Sequence, residues 1–318
     1  MRYFSTFSGI GGFELGLGAE HECVGFSEID QYALNIYRQQ FPNHKNYGDI
    51  TTINTDTLPD FDLLVGGFPC QAFSIAGRRG GFEDTRGTLF FELARILRAK
   101  KPRLFIFENV KGLLSHDDGK TFRTVIATLD ELGYDLQWQV INSKNHGVPQ
   151  NRERIFIVGH LRGTPRPEVF PLGGYDDEDT RQVGIDLSFC LDANYYKGVN
   201  TGVNSGRSSI DKARRQVIVT GYISSAKWDR FHESSRRIYS KLGISPTIPT
   251  ACGGGHTPKI DMSEDGVLKI RKLTPTECER LQGFPDGWTS LVSDTRRYQT
   301  LGNAVTSNVI RDLTSKLK

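Results

Sequence analysis

Four stretches of this chain carry residue types that could do chemistry together. The first is Gly66-Gly67-Phe68-Pro69-Cys70-Gln71-Ala72-Phe73-Ser74, which follows the apolar run Phe61-Asp62-Leu63-Leu64-Val65. A strand giving way to a loop there puts Cys70 on the rim of a sheet, where open α/β folds bind ligands. As a thiolate it is a nucleophile, and Pro69 fixes the backbone in front of it. A free cysteine by itself is more often a buried structural residue, but Cys70 has company. Phe107-Glu108-Asn109-Val110 ends a second apolar run with a carboxylate, placed where a partly buried acid can donate to a ring nitrogen. Gln150-Asn151-Arg152-Glu153-Arg154 leads into a third, and strand alternation sends Arg152 and Arg154 to one side. Two guanidinium groups beside a Cys and a Glu suit a polar heterocycle near phosphate.

The fourth stretch, Phe7-Ser8-Gly9-Ile10-Gly11-Gly12-Phe13-Glu14, follows the first apolar run and opens a helix, so its glycines let backbone approach a ligand. A dinucleotide fingerprint would want glycine at the position of Glu14, which argues against a nicotinamide dehydrogenase. Glu28 is placed to accept hydrogen bonds from ribose hydroxyls, and Asp49 to bind an adenine amino group. A cofactor with adenosine but no pyrophosphate fits those positions.

The elements that must position these residues alternate. Tyr3–Phe7, Cys23–Phe26, Leu63–Val65, Leu104–Phe107 and Ile155–Val158 read as strands. Leu89, Leu93, Ile96 and Leu97, and then Phe122, Val125, Ile126 and Leu129, fall on helical faces. Alternation of this kind predicts an α/β fold with a mostly parallel sheet covered by helices. The pattern degrades after Gly163 into a Pro- and Gly-rich linker running to Asp179, then into a loop- and strand-rich second region. The expected division is a catalytic and cofactor domain over 1–172, a small domain over 173–285, and a hinge with a C-terminal helix over 286–318. Thr274, Pro275 and Glu277 predict a capped helix start, and 303–317 reads as helical.

With 37% hydrophobic and 24% charged residues in 318, the chain has the composition of a globular protein able to bury a sizeable core. The five cysteines include no Cys-x-x-Cys pair, so neither a disulfide framework nor a metal site is expected, and a reducing cytoplasm fits best. No signal peptide or membrane-spanning run is evident, so no membrane partner is expected. The net charge of +3 is small, yet ten Lys/Arg stand against three acids between Lys197 and Lys241. Such a local field suits a polyanion, although most charge clusters are simply solvated faces.

In this order the motifs resemble the DNA cytosine-C5 methyltransferase family, particularly the small bacterial and phage enzymes of restriction–modification systems. The similarity runs through 7–13, Ser27-Glu28-Ile29-Asp30, Gly48-Asp49-Ile50, Pro69-Cys70-Gln71, Arg86-Gly87-Thr88-Leu89-Phe90-Phe91, Glu108-Asn109-Val110, 150–154, 271–285 and Leu301-Gly302-Asn303-Ala304-Val305. It implies an S-adenosylmethionine-dependent methyltransferase fold with a target-recognition domain, acting on double-stranded DNA. Cys70 would attack C6 of a flipped-out cytosine while Glu108 assists at N3, and Arg152 and Arg154 would hold the base and its backbone. Phe7, Ser8, Gly9, Ile10, Gly11, Glu28, Ile29, Asp49, Ile50, Pro69, Asn303 and Ala304 would bind S-adenosyl-L-methionine. Gln71, Ser74, Arg86, Arg236, Arg237, Tyr239, Gly253, Gly254 and Gly255 would bind DNA. A monomer is expected, with a cognate restriction endonuclease acting on the same site without physical contact. Ser8 and Ala76 depart mildly from the family pattern, and Ala76 leaves open which side chain fills the gap left by the flipped base.

Two other readings stand beside this one. A tRNA cytosine-C5 methyltransferase of the same general type would carry a Cys-Phe-Thr signature in the target region, and none is present. A catalytically silent DNA-binding protein on the same fold would not need Cys70, Glu108 and Arg154 together.

Overall fold

The computed structural model describes residues 1–69, 89–172, 217–223, 236–249, 257–263 and 269–317. Cys70, Gln71, Ser74, Arg86 and Gly253 to Gly255 lie outside the described residues, as does the linker beyond Leu172.

The apolar runs form a six-stranded sheet in the order β2-β1-β3-β4-β7-β5. Its strands are β1 (Arg2–Thr6), β2 (Glu22–Ser27), β3 (Leu63–Gly67), β4 (Leu104–Val110), β5 (Tyr134–Asn142) and β7 (Glu153–Leu161), with the short β6 (Gln150–Asn151) between the last two. Strands β2, β1, β3 and β4 are parallel, and β7 runs antiparallel to β4. Parallel strands buried on both faces need continuous apolar sequence, which Leu63-Leu64-Val65 and Leu104-Phe105-Ile106-Phe107 supply with no exposure above 2%. Helices α1 (Gly12–Leu17), α2 (Gln31–Gln40), α3 (Leu89–Lys100) and α4 (Lys120–Glu131) connect them. Leu93 and Leu97 of α3 and Val125 and Leu129 of α4 join one core with Leu64, Phe105, Phe107 and Ile157. Helix α2 instead stacks Tyr37 on Phe26, ring centroids 3.9 Å apart.

Strand β5 was not expected. Its alternation of Tyr134, Leu136, Trp138 and Val140 with polar neighbours is that of a half-buried edge strand, and Trp138 is 48% exposed.

Two compact units divide the chain. The first contains Met1–Ile141, Glu153–Leu172 and Ile310–Lys318; the second contains Asn142–Arg152 and Gly173–Val309. In the second unit, β8 (Val219–Tyr222), β9 (Arg237–Ser240), β11 (Lys259–Asp261) and β12 (Ile270–Lys272) form a sheet in the order β12-β11-β9-β8, while β10 (Ser245–Pro246) pairs with β6. Helix α5 (Pro275–Leu281) starts with a capping box: Thr274 Oγ1 accepts from Glu277 N–H, and Glu277 accepts from Thr274 N–H.

The helical tail expected over 303–317 is α7 (Ser307–Ser315), and a further helix that was not expected, α6 (Asp294–Asn303), precedes it. Helix α6 stops because side chains take its last carbonyls. Gln282 Nε2 donates to Leu301 O at 2.8 Å, and Arg152 Nη2 to Gly302 O and Ala304 O at 3.2 and 2.8 Å.

Glu14, which stands where a dinucleotide fold would place glycine, is buried against the first sheet and accepts from Tyr37 Oη at 3.0 Å. Burial pushes its carboxyl pKa from 4.5 up to about 7, against hydrogen bonds from Ser5 and Tyr37 that favour the anion, and with Glu28 adding repulsion. The folded protein therefore holds this proton more tightly than the unfolded chain. Its contribution to stability is full below pH 4.5 and is lost as pH rises through about 7, by on the order of 3 kcal/mol. Glu14→Gln, which stays neutral and keeps an acceptor for Tyr37, should flatten the fall of Tm between pH 4.5 and 8. It should also leave the protein more stable than wild type at pH 8. Thermal denaturation across that range checks this, and parallel Tm curves for the two proteins would refute it.

Candidate active site

Because β1 to β4 are parallel, their C-terminal ends share one rim, and the chain's chemistry-bearing residues leave from it. At the end of β1, Phe7 takes a left-handed backbone (φ 51°), followed by Gly9 at 56° and Gly11 at 87°. Non-glycine residues enter this region at a cost of roughly 1–2 kcal/mol, and such strain gathers at functional loops. A Cβ on Gly9 would meet nothing nearer than Phe7 O at 4.0 Å, so the space at this residue is open.

Glu28, just past β2, closes the loop from the other side. Its Oε2 accepts from Gly9 N–H at 2.8 Å, and its Oε1 accepts from Ile29 and Asp30 N–H, each at 2.8 Å. Three backbone donors pin the carboxylate beside the open loop, while each oxygen retains acceptor capacity for a ligand hydroxyl. Asn46 holds the same segment: its Nδ2 donates to Glu28 O at 3.1 Å and its Oδ1 accepts from Gly48 N–H at 3.0 Å. Ser8 is buried and shares a 2.8 Å hydrogen bond with Ser5, whereas Ile29 is 63% exposed. The exposed Asp49 caps a short 3-10 turn, accepting from Thr51 N–H and Thr51 Oγ1 at 2.9 and 2.8 Å. Ile50 is buried beneath it, and Arg95 of α3 clamps the turn by donating to Ile50 O and Ile53 O, both at 2.8 Å. An open glycine loop, a fixed carboxylate and a rigid polar turn fit a cofactor of adenosine character.

Glu108 and Arg154 face each other across β4 and β7. Val110 is opposite Arg154 and Glu108 opposite Phe156, so the two side chains are diagonal neighbours on one face. Arg154 Nε lies 3.0 Å from Glu108 Oε1, with their side chains 15% and 12% exposed. Gly67, paired with Glu108 in the parallel ladder, makes room for the carboxylate: a Cβ there would sit 3.0 Å from Glu108 Oε2. The chain then runs through Phe68 and the exposed Pro69 to Cys70.

Two of the expected site residues are buried. Arg152 and Arg154 do not alternate along one strand, because regular pairing breaks at Arg152 between β6 and β7. Arg152 is 1% exposed, belongs to the second unit, and its Nη2 caps the end of α6 there. Tyr239 is 6% exposed and so does not lie on the surface of the second unit. Burial raises its hydroxyl pKa, while the Arg237 guanidinium hydrogen-bonded beside it pulls the other way. Arg236 and Arg237 are both partly buried. In the second unit too, Asn303 is exposed and Ala304 buried at the end of α6.

Asn46, Arg95 and Asn109 were not singled out from sequence. Asn46 carried a local signal, an Asx turn two residues ahead of Gly48; the backbone partners of Arg95 and Asn109, about forty residues away, leave none. Among the described residues no helix is long and apolar enough to cross a membrane.

The sequence profile of the C-5 cytosine-specific DNA methylase family matches residues 1–318. The chain is 36% identical over 326 residues to the type II methyltransferase M.HhaI of Haemophilus parahaemolyticus, covering 98% of this chain and 92% of that one. It is also 36% identical over 329 residues to M.HpaII of Haemophilus parainfluenzae, covering 99% and 88%. Among solved structures it resembles the Dnmt2 methyltransferase of S. pombe, with a TM-score of 0.71 at 20% identity over 99% and 97% of the two chains. That last likeness concerns the fold alone. The protein belongs to the C-5 cytosine-specific DNA methylase family. It is an enzyme that methylates C5 of cytosine in DNA in a sequence-specific manner, with S-adenosylmethionine as cofactor.

The surroundings of the two rim carboxylates, three backbone donors on Glu28 and the Arg154 guanidinium on Glu108, predict different effects of their substitution. Glu108→Gln should lower the single-turnover methylation rate by about 10²–10⁴-fold, the usual weight of a general acid, with cofactor affinity nearly unchanged. Glu28→Ala should weaken S-adenosylmethionine binding by about 10–100-fold, the weight of lost charged hydrogen bonds. Calorimetry and single-turnover kinetics separate the two, and the opposite pattern would show the division to be wrong.

Proposed function

We propose that Cys70 is the nucleophile and Glu108 the acid of this methyl transfer, with Arg154 orienting Glu108 and holding O2 of the target base. The observation that carries this reading is the Glu108–Arg154 pair, set against Gly67 on the strand that leads into Cys70. Phe7 to Gly11, Glu28, Ile29, Asp49, Ile50 and Pro69 are the proposed cofactor contacts, joined by Asn303 and Ala304. S-adenosylmethionine, when bound, supplies an electrophilic methyl group.

Cytosine C5 is a poor nucleophile and must first be activated. The Cys70 thiolate forms a bond to C6, breaking the C5=C6 double bond, while Glu108 supplies a proton at N3. Electron density gathers at C5, which is methylated. Loss of the C5 proton to water and return of the N3 proton to Glu108 then re-form the C5=C6 double bond and expel the thiolate. C6 is inaccessible in a stacked duplex, so the target base is flipped out of double-stranded DNA. Gln71, Ser74 and Arg86 are proposed to contact the DNA at the active site. Arg236, Arg237 and Gly253 to Gly255 are proposed to contact it in the target-recognition region. The protein is proposed to work as a monomer, with a restriction endonuclease acting separately on the same sequence. The restriction–modification type of its relatives supports that pairing.

DNA carrying 5-fluorocytosine at the target should trap a covalent complex that survives denaturation, because fluorine cannot leave as the C5 proton does. Cys70→Ala should abolish both adduct and turnover, and persistent trapping in that variant would overturn the assignment. Arg237 is proposed to read a guanine next to the target through its forked donors. Arg237→Ala should cost about 1–3 kcal/mol at the cognate site and relax preference at one base pair. Methylation of a randomised-site library tests this: an unchanged sequence profile with lower overall activity would make Arg237 a backbone clamp.

A further inference from the structure

We propose that Asn109 is a positioning residue that sets the nucleophile against the acid, a role that rests on the assignment of Cys70 and Glu108 above. The parallel ladder between β3 and β4 ends at the pair Gly67–Glu108. The residue after β3 is Phe68, whose carbonyl lies beyond that last pair, and Pro69 after it has no N–H to contribute. Asn109 acts where the ladder stops. It is 2% exposed, its Nδ2 donates to Phe68 O at 2.8 Å, and its Oδ1 accepts from Val110 N–H at 2.8 Å.

A primary amide buried this deeply has to find partners of both kinds, and these two lie on the exits of different strands. One end of the amide holds the peptide two residues before Cys70; the other holds the backbone just past Glu108. The Phe68 side chain is pinned independently, its ring centroid 5.4 Å from that of Phe90 and 6.3 Å from that of Phe107. Phe90 lies at the start of α3, so this ring contact ties the exit of β3 to that helix. With ring and carbonyl both fixed, the Phe68–Pro69 peptide has little freedom. Cys70 is the next residue in sequence. The amide thereby limits where the thiolate can stand relative to the carboxylate. Addition to C6 with simultaneous proton donation at N3 needs both groups placed to well under an ångström, and a misplacement of about 1 Å costs on the order of 10²-fold in rate.

A purely structural amide would affect stability and leave kinetics alone, so the test pairs two kinds of variant. Asn109→Ala removes both hydrogen bonds. Asn109→Asp keeps the shape and the acceptor for Val110 but turns the Phe68 contact into one between two acceptors. Tyr134→Phe is the control: it deletes another fully buried side-chain bond to backbone in the same unit, Tyr134 Oη to Pro102 O at 2.8 Å. For each protein, the rate of covalent trapping on 5-fluorocytosine DNA, the Kd values for S-adenosylmethionine and DNA, and Tm are measured at least 15 °C below that protein's Tm. The pH dependence of Cys70 alkylation, read by peptide mass spectrometry, is followed in parallel. Both Asn109 variants should trap about 100-fold more slowly, with both Kd values within about 3-fold of wild type and a changed alkylation profile. Tyr134→Phe should lose Tm and keep wild-type trapping. Should Asn109→Ala not fold, the isosteric Asp variant decides. Wild-type trapping rates in the Asn109 variants, or losses matched by Tyr134→Phe at equal loss of Tm, would overturn the positioning role while leaving Cys70 and Glu108 in place. Failure of the wild-type enzyme to trap at all would instead remove the covalent assignment, and this role with it.

Discussion

Parallel strands hydrogen-bonded in register must present all their ends of one sense along a single edge, and the chemistry of this protein hangs on that constraint. Thr6 pairs with Ser27 and with Gly66, and Gly67 pairs with Glu108. Loops that leave these strands therefore emerge side by side, although up to about a hundred residues of chain separate them. The glycine loop, Glu28, the exit of β3 and Glu108 are brought onto one rim before any side chain makes a contact. The reversal of β7 adds Arg154 from the opposite direction, diagonal to Glu108.

Where the ladder stops, polar side chains take over the backbone's unpaired groups. Glu28 gathers three amides beside the glycine loop, Asn46 ties that turn to the segment at Gly48, and Asn109 holds the carbonyl of Phe68. Arg95 does the same for the turn behind Asp49, and in the second unit Arg152 and Gln282 do it for the end of α6. Buried backbone groups left without partners are costly, so each strand or helix exit at functional depth needs such a side chain. A residue that caps a backbone exit and a residue that touches substrate look alike in sequence. Arg152 is the instructive case: it stands two positions from Arg154, yet its donors close a helix.

Glu14 makes the same point from the cofactor side. Its presence in place of glycine was sound evidence against a dinucleotide fold, yet its own role lies behind the loop. The carboxyl is buried with Tyr37, and Tyr37 in turn hydrogen-bonds His44 at 3.0 Å. A polar cluster inside the sheet–helix interface thereby stiffens the start of α1, on which the glycine loop depends.

Apolar runs, glycine positions and the order of motifs were enough to determine the parallel α/β core, the placement of Glu28 and Glu108 at strand ends and the family, because strand burial and loop chemistry are written locally. Edge strand β5 was legible too, in the alternation from Tyr134 to Val140, but its weaker apolar content hid it among stronger signals. Only the tertiary structure decided which of Arg152 and Arg154 meets Glu108, that Tyr239 is buried, and that a further helix ending at Asn303 precedes the C-terminal one. Each of those outcomes turns on a partner that is distant along the chain or on a single residue's break in alternation. The backbone groups left over at the ends of strands and helices, more than the side chains' own chemistry, decide where such residues go.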